Sequence, residues 1–229
     1  FFVANYMVQE EKVSREKLEV IHNGIKVENF DVPIDKEAKR LELKLNKNDF
    51  VFVIVARLVP IKDHSTLLKA FSKVNGNIPE SKLLIVGDGP LKDTLIEETD
   101  RLGLSKSVLF LGNRRDIPEI LKASDVFMLT SLRESFPVVV LEAMASGLPV
   151  IATKEGGCSE IVINGETGLL IPPKAPDLLS DAMIEMKINY ETMKKMGENG
   201  LKRVKEYFTF DKMIEKYCSI YDTDFGFKR

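Results

Sequence analysis

The stretch that decides the fold is VFMLTSLRESFPVVVLEAMA, residues 126–145. It opens with a short apolar run, residues 126–129, that predicts a buried strand. A polar loop follows, then Pro137 at a position where a helix can begin, then helix-forming residues through position 145. The segment therefore predicts a strand, a loop at the carboxyl end of that strand, and a helix.

Two carboxylates stand eight residues apart in this stretch. We expect Glu134 to lie on the loop and Glu142 to lie inside the helix, near its second turn. The first amides of a helix lack intrahelical acceptors and can bind an anion, so a negatively charged ligand that carries hydroxyl groups fits between the two acids. The loop and helix residues that we predict to contact such a ligand are Ser135, Phe136, Val138 and Val139.

The alternative for each acid is a structural one. Glu134 can be an exposed loop acid and Glu142 an ordinary helix acid, and Phe136 can be a core residue. However, Glu142 has apolar neighbours on both sides, and a helix that is buried on most sides rarely holds a carboxylate without a partner. This placement favours a functional reading of Glu142.

Short apolar runs recur along the chain with helical stretches between them. Their residues are apolar almost without interruption, which is typical of parallel strands covered on both faces. The sequence therefore predicts an α/β fold, a doubly wound, Rossmann-like parallel sheet of about six strands, with ligands at the carboxyl ends of the strands. The predicted strands lie at 51–55, 83–87, 108–112, 126–129, 149–152 and 169–171, and the helices between them at about 63–75, 91–103, 117–123, 138–146 and 158–163.

Two cations follow the first predicted strand. Arg57 and Lys62 are five residues apart on one strand-to-helix loop and can converge on a single diphosphate. A pair of solvated surface cations is the alternative. Their place on the ligand-binding edge of the sheet favours the phosphate-binding role.

Glycines mark two further loops on that edge. The sequence GDGP, residues 87–90, is neither a dinucleotide fingerprint nor a P-loop, because position 92 is lysine and no Gly-Lys-Ser/Thr follows. We predict a tight turn that lines the cleft, with Gly87 and Gly89 close to the ligand. Gly156 and Gly157 can bring backbone close to a ligand or form a simple strand-to-helix turn.

The bulk composition narrows the function classes. The chain has 229 residues with a formal net charge of −2, so we expect no general affinity for nucleic acid. No apolar run is long enough to span a membrane, and two cysteines fit a cytoplasmic protein. We expect Cys158, His22 and His64 to be structural.

The two ends of the chain differ from the middle. Residues 1–18 have a partly helical pattern, residues 19–22 predict a short strand, and residues 31–48 predict a surface connection. The tail predicts helices around 190–206 and 210–222, which we expect to extend away from the sheet.

Taken together, these motifs resemble the retaining, family-4 type glycosyltransferases of GT-B architecture, at their carboxyl-terminal donor-binding domain. The resemblance covers most of the chain in the expected order. The segments that carry it are IHNGI (21–25) with Phe30, ARLVPIK (56–62), VGDGP (86–90), and residues 134–157 followed by Glu160.

This resemblance implies a nucleotide-diphospho-sugar as the donor and no requirement for a metal or other cofactor. Arg57 and Lys62 would neutralise the diphosphate, Glu134 would bind the transferred sugar, and Glu142 would bind the ribose. The base would lie near Asn113 and Arg114. Transfer would keep the anomeric configuration, commonly by same-face attack.

The resemblance also implies a domain division. Residues 1–22 would be the remnant of an acceptor-binding domain, residues 23–189 the nucleotide-sugar-binding domain, and residues 190–229 helices that cross back to the missing domain. We expect such a fragment to bind donor weakly and to be inactive alone. The acceptor, whether a sugar, a glycan or a lipid-linked molecule, would bind the missing domain, and membrane association would be at most peripheral.

Two other functions stay open at this point. The chain can be a stand-alone nucleotide-sugar-binding subunit that completes a partner. A nucleotide-sugar epimerase is the weaker alternative, because it would not be expected to show both the acid pair and the cation pair. The sequence does not identify the sugar, the base or the acceptor.

Overall fold

The computed structural model describes residues 2–225, and the side chains of residues 2–222. Its six strands are β1 (Phe50–Val55), β2 (Ser81–Val86), β3 (Val108–Gly112), β4 (Val126–Leu129), β5 (Val150–Thr153) and β6 (Gly168–Ile171). Its helices are α1 (Phe2–Gln9), α2 (Lys36–Glu42), α3 (His64–Asn77), α4 (Lys92–Arg101), α5 (Ile117–Ala123), α6 (Val138–Ala145), α7 (Cys158–Ile161), α8 (Pro176–Ile188), α9 (Tyr190–Tyr207) and α10 (Phe210–Phe225). Short 3-10 turns lie at Arg15–Lys17, Val27–Asn29 and Pro60–Lys62.

The strands form one sheet in the order β3-β2-β1-β4-β5-β6, and every strand pair is parallel. The predicted six-stranded, doubly wound α/β fold is confirmed. The order reverses between β1 and β4, so loops from these two strands diverge to opposite faces of the sheet. A crevice at the carboxyl ends of such strands is the usual ligand site of this architecture.

Both faces of the sheet are buried, as the continuous apolar runs predicted. In β4, Phe127 and Leu129 contribute to one core, which includes residues of α5 and α6. Val126 and Met128 contribute to the other core, which includes residues of α3 and α8. Successive strand residues point to opposite faces, so a strand between two helical layers must be apolar at every position.

The head of the chain departs from two predictions. Residues 19–22 do not form a strand, and Ile25 makes only an isolated bridge with Thr209. Residues 31–48 are more than a surface connection, because α2 docks on the domain through the buried Arg40. Its guanidinium donates to the backbone oxygens of Ala123 (2.9 Å) and Asp49 (2.9 Å).

The tail departs from a third prediction. Helix α9 does not extend away from the sheet but packs on α6 and β6. Its buried residues include two glycines, and a Cβ added at Gly197 would lie 2.1 Å from the backbone oxygen of Gly147. This close approach of two backbones fixes α9 against the end of α6. The predicted pattern for 190–206 did locate the helix itself.

We predict opposite effects for two Gly→Ala changes in helices. Gly197→Ala should lower the free energy of unfolding by about 1–3 kcal/mol, because the added methyl meets the backbone of Gly147. Gly76→Ala in α3 should raise it by about 0.4–1 kcal/mol, because a Cβ there meets nothing within 4 Å. Denaturant unfolding of both variants measures the difference. Equal effects would show that α9 is not held by this contact.

Candidate active site

The loops after β1 and β4 are joined by hydrogen bonds. Thr130 Oγ1 donates to the backbone oxygens of Lys62 (2.9 Å) and Asp63 (3.2 Å). The amide of Leu132 donates to the backbone oxygen of Ile61 at 2.8 Å. These bonds hold the 3-10 turn of residues 60–62 against the β4 loop, although the two loops are about 70 residues apart in sequence.

This junction brings the predicted Lys62 and Glu134 together. Lys62 Nζ lies 2.5 Å from Glu134 Oε1, and the two side chains are only 22% and 11% exposed. A charged pair with this little access to water is held more firmly than a surface ion pair. Lys62, which was predicted to bind a phosphate, and Glu134, which was predicted to bind a sugar, therefore lie in one site.

Glycines let the β5 loop support Glu134 from behind. Gly156 has φ +53°, and a Cβ there would lie 1.6 Å from the backbone oxygen of Glu134. A Cβ at Gly157 would lie 2.2 Å from the backbone oxygen of Ser135. The sequence left two roles open for these glycines, a close approach to a ligand or a simple strand-to-helix turn. The structure shows a close approach, but it is made to the backbone of residues 134 and 135.

A cavity of about 330 Å³ opens at the carboxyl ends of β1, β2 and β3, against α6. It gathers predicted residues from four separate segments. Its lining is formed by Val55, Ala56, Arg57, Val86, Gly87, Asp88, Asn113, Arg114, Ile117, Val139 and Glu142.

Glu142 faces this cavity without a partner. Within residues 2–222 its carboxylate makes no hydrogen bond or ion pair, and burial raises the pKa of Glu142 above its usual range. The carboxylate oxygens are therefore available to accept hydrogen bonds. Arg57 is likewise available, because its exposed guanidinium makes no hydrogen bond or ion pair in the described part of the chain.

The β2 loop is docked on the β1 loop through glycines. Gly87 has φ +132°, and a Cβ there would lie 2.0 Å from the backbone oxygen of Ala56. A Cβ at Gly89 would lie 2.5 Å from the backbone oxygen of Leu58. Gly87 lines the cavity as predicted, whereas Gly89 contacts the neighbouring loop and does not line it.

Ser135 and Phe136 lie on another side of the α6 entrance. The Phe136 ring stacks on His22 with 5.1 Å between ring centroids and tilts against Phe208. With Ser135 it lines a second cavity of about 330 Å³, between α1, residues 18–23 and Glu160. The side chain of Phe136 is thus a packing residue, and any contact of this residue with the predicted anion must come from its backbone.

The first backbone amides of α6 make no hydrogen bonds within the helix. Val138 and Val139 are its first two residues, so their amides have no intrahelical acceptor. Val139 lines the Arg57 cavity, and both valine side chains pack against the core. Of the residues predicted to bind the anion through their amides, Val139 therefore lies at the cavity wall.

Arg114 also lines the cavity, but its guanidinium is engaged. It pairs with Asp116 and with Glu42 of α2. The hydrogen bond from Arg114 holds the pKa of Asp116 well below its usual range. Glu42 was not predicted as part of the site, because the segment that forms α2 was expected to be a surface connection.

The residues expected to be structural divide into two groups. Cys158 is buried in the core, and burial, with a smaller effect from the Glu134 carboxylate, raises the pKa of its thiol to about 12. His64 is also buried, and burial, with the nearby Lys62 ammonium, lowers its pKa to about 4. His22 is only partly buried, and its contacts are structural as expected, because its Nε2 lies 2.7 Å from Glu160 Oε2 and its ring stacks on Phe136.

Two features are absent from residues 2–225. No group of three or more His, Cys, Asp or Glu residues is placed to hold a metal ion. No helix in that part of the chain is both long and apolar enough to cross a lipid bilayer.

Comparison with known proteins identifies the family. Residues 35–203 match the family model of the glycosyl transferases group 1. An Escherichia coli protein named UDP-Gal:alpha-D-GlcNAc-diphosphoundecaprenol alpha-1,3-galactosyltransferase is 36% identical over 219 residues, which is 93% of this chain and 56% of that protein. A Bacillus anthracis N-acetyl-alpha-D-glucosaminyl L-malate synthase is 32% identical, over 82% of this chain and 49% of that protein.

A solved structure supports the same assignment. The crystal structure of Anabaena HepE in complex with UDP matches 96% of this chain and 61% of its own, with a TM-score of 0.90 and 28% identity. The chain thus spans about half the length of the curated relatives named above. The predicted glycosyltransferase family and its GT-B fold are confirmed.

We predict that Glu142→Gln stabilises the protein at neutral pH. Burial raises the folded-state pKa of Glu142, so the fold disfavours the charged form. This cost is absent below the unfolded pKa of about 4.3 and grows as pH rises through the folded value. The variant should therefore gain about 0.5–2 kcal/mol at pH 7 and almost nothing at pH 4.

Thermal unfolding at the two pH values measures the effect. Glu191→Gln, at an exposed position of α9, serves as the matched control and should change little at either pH. A gain for Glu142→Gln that is the same at pH 4 and pH 7 would contradict the role of its charge.

Proposed function

The chain belongs to the group 1 glycosyl transferases, and we propose that it forms the donor-binding half of an enzyme that transfers a sugar from a nucleotide-diphospho-sugar. One observation carries the proposal: the loop after β1 carries both Arg57, which lines a cavity with Glu142, and Lys62, which contacts Glu134. Cations suited to a diphosphate thus lie next to acids suited to hydroxyl groups. A nucleotide sugar carries both kinds of group.

The diphosphate is bound by two cations and a helix start. Arg57 offers a planar fork and Lys62 a point charge, while the amides of Val138 and Val139 donate from the first turn of α6. Negative charge accumulates on the diphosphate as the sugar leaves. These groups stabilise that charge without a metal ion.

The hydroxyl groups of the donor are bound by the two acids. Glu134 accepts hydrogen bonds from the transferred sugar, and Glu142 accepts them from the ribose. The burial of an unpartnered carboxylate at position 142 supports this role, because hydroxyl donors of a ligand offset the cost of burying it. The base lies near Asn113 and Arg114, at the far end of the same cavity.

A uridine diphosphate sugar is the donor that the relatives favour. The Anabaena structure contains UDP, and the name of the Escherichia coli relative specifies UDP-Gal as its donor. We infer a UDP-sugar for this chain on that basis.

Transfer occurs with retention, by attack on the face from which the diphosphate leaves. Glu134 is paired with Lys62, and a carboxylate paired with a cation is a poor nucleophile. Cys158 is a buried thiol with a raised pKa. Both observations support a mechanism without a covalent sugar intermediate.

The acceptor binds a second domain, and the relatives are long enough to contain one, because this chain covers only 56% and 49% of their length. The acceptor is a sugar, a glycan or a lipid-linked molecule, and activity requires both halves. The enzyme works in the cytoplasm, with at most peripheral contact to a membrane and no nucleic acid partner.

We predict that Arg57→Ala and Lys62→Ala each weaken UDP binding about tenfold or more. Each change removes a charge-assisted contact of about 1.5–3 kcal/mol. Lys62→Ala should have the larger effect, because it also leaves the Glu134 carboxylate unneutralised beside the diphosphate. Calorimetric titration with UDP measures both effects. Lys47→Ala, which breaks an exposed ion pair with Glu37 of α2, is the control, and unchanged affinity in both site variants would rule out this phosphate site.

We predict effects of opposite sign for Glu134→Gln on two ligands. UDP should bind more tightly, by about two- to fivefold, because Lys62 no longer has an internal counter-ion. A UDP-sugar should lose its advantage over UDP, because an amide accepts hydrogen bonds less strongly than a carboxylate. The ratio of the two dissociation constants is the measurement. A ratio equal to that of the unmodified chain would remove Glu134 from sugar binding.

A further inference from the structure

A four-residue ion-pair network borders the base end of the cavity. Arg114 Nε lies 2.8 Å from Asp116 Oδ1, and Arg114 Nη2 lies 2.6 Å from Asp116 Oδ2, so the pair is bidentate. Arg114 Nη2 also donates to Glu42 Oε1 at 2.7 Å. Lys39 Nζ contacts Asp116 Oδ2 (2.6 Å) and Glu42 Oε2 (2.8 Å), which closes the network.

The network fixes the plane of the Arg114 guanidinium. Its members come from three elements, with Lys39 and Glu42 on α2, Arg114 on the loop after β3, and Asp116 at the start of α5. Bidentate pairing constrains both the position and the orientation of the fork. The paired carboxylates raise the pKa of Arg114, so the guanidinium stays charged.

The network has no net charge, because two cations face two carboxylates. It therefore offers little long-range attraction to a phosphate, unlike the exposed guanidinium of Arg57, which has no ion pair within residues 2–222. A neutral, rigid, polar edge suits a neutral ligand group. The nucleobase is the neutral end of a nucleoside diphosphate.

One edge of the Arg114 guanidinium is left over. Within residues 2–222, Nη1 donates to no protein acceptor, whereas Nε and Nη2 are both engaged. Nη1 carries two N–H donors and arginine offers no acceptor. Arg114 lines the cavity, and Nη1 is the part of its guanidinium that is still free to donate to a ligand there.

Resting on the proposed function, we propose that Arg114 selects the base of the donor by donating from Nη1 to an exocyclic carbonyl oxygen. Uracil and guanine present such an oxygen, whereas adenine presents only ring nitrogens and an amino group. Asp116 and Glu42 are positioning residues that hold the fork. The donor is thus a sugar carried on a base with a carbonyl group.

The test compares UDP, ADP and inorganic pyrophosphate by calorimetry on this chain. The unmodified chain should bind UDP at least about tenfold more tightly than ADP, as one charge-assisted hydrogen bond allows. Arg114→Lys keeps the charge but loses the planar fork. Arg114→Lys should weaken the binding of UDP about tenfold and should change the affinities for ADP and pyrophosphate by no more than about twofold.

Two further variants separate positioning from general electrostatics. Glu42→Gln should weaken the binding of UDP by about two- to fivefold, because the Arg114 guanidinium is then held less firmly. Glu37 lies on the same helix as Glu42 and forms an exposed pair with Lys47. Glu37→Gln breaks that pair and should leave the affinity for UDP unchanged. Circular dichroism of each variant confirms that it is folded.

The outcomes distinguish this inference from the proposed function. UDP and ADP binding equally well to the unmodified chain, or Arg114→Lys weakening UDP and pyrophosphate alike, would overturn the role of Arg114 alone. Failure of the unmodified chain to bind any nucleoside diphosphate would overturn the proposed function and this inference with it.

Discussion

The hydrogen bonds between the loop after β1 and the loop after β4 are the constraint on which the site depends. β1 and β4 are neighbours in the sheet, and the strand order reverses between them. Thr130 ties the backbone of the turn at residues 60–62 to the end of β4. Without these hydrogen bonds, the turn that carries Lys62 and the loop that carries Glu134 would lie at the same edge of the sheet, but nothing in the backbone would hold them together.

The fold and the candidate site differ in how far the sequence predicts them. Burial on both faces forces every position of a central parallel strand to be apolar, so all six strands were visible as continuous runs. The helix after Pro137 was located to within one residue, because Pro and the apolar run agree with each other. Local signals that coincide in this way are reliable.

The missed features depend on long-range contacts. Arg40 is buried only because backbone oxygens from residues 49 and 123 converge on it, which no local pattern displays. Helix α9 was placed as a helix but not as part of the domain, because its docking depends on glycines that meet Gly147 and Met144. Residues 19–22 have a strand-like composition, yet His22 uses its ring to support Phe136. Phe136 was likewise predicted to share a site with Glu142, but the two side chains line different cavities.

The two ends of the candidate site have different charge arrangements. At the sugar end, Lys62 neutralises Glu134, so an arriving diphosphate must compete with an internal counter-ion before it gains the cation. At the base end, Arg114, Asp116, Glu42 and Lys39 neutralise one another and need no rearrangement to meet a ligand. Preorganised groups favour selectivity, because little ordering is required when the ligand binds. An exchangeable pair such as Lys62 and Glu134 suits the diphosphate, whose negative charge grows during the reaction. Lys62 can move from Glu134 to the diphosphate as that charge develops. The two parts of the candidate site can therefore combine selective recognition of the base with an exchange of charge partners at the diphosphate.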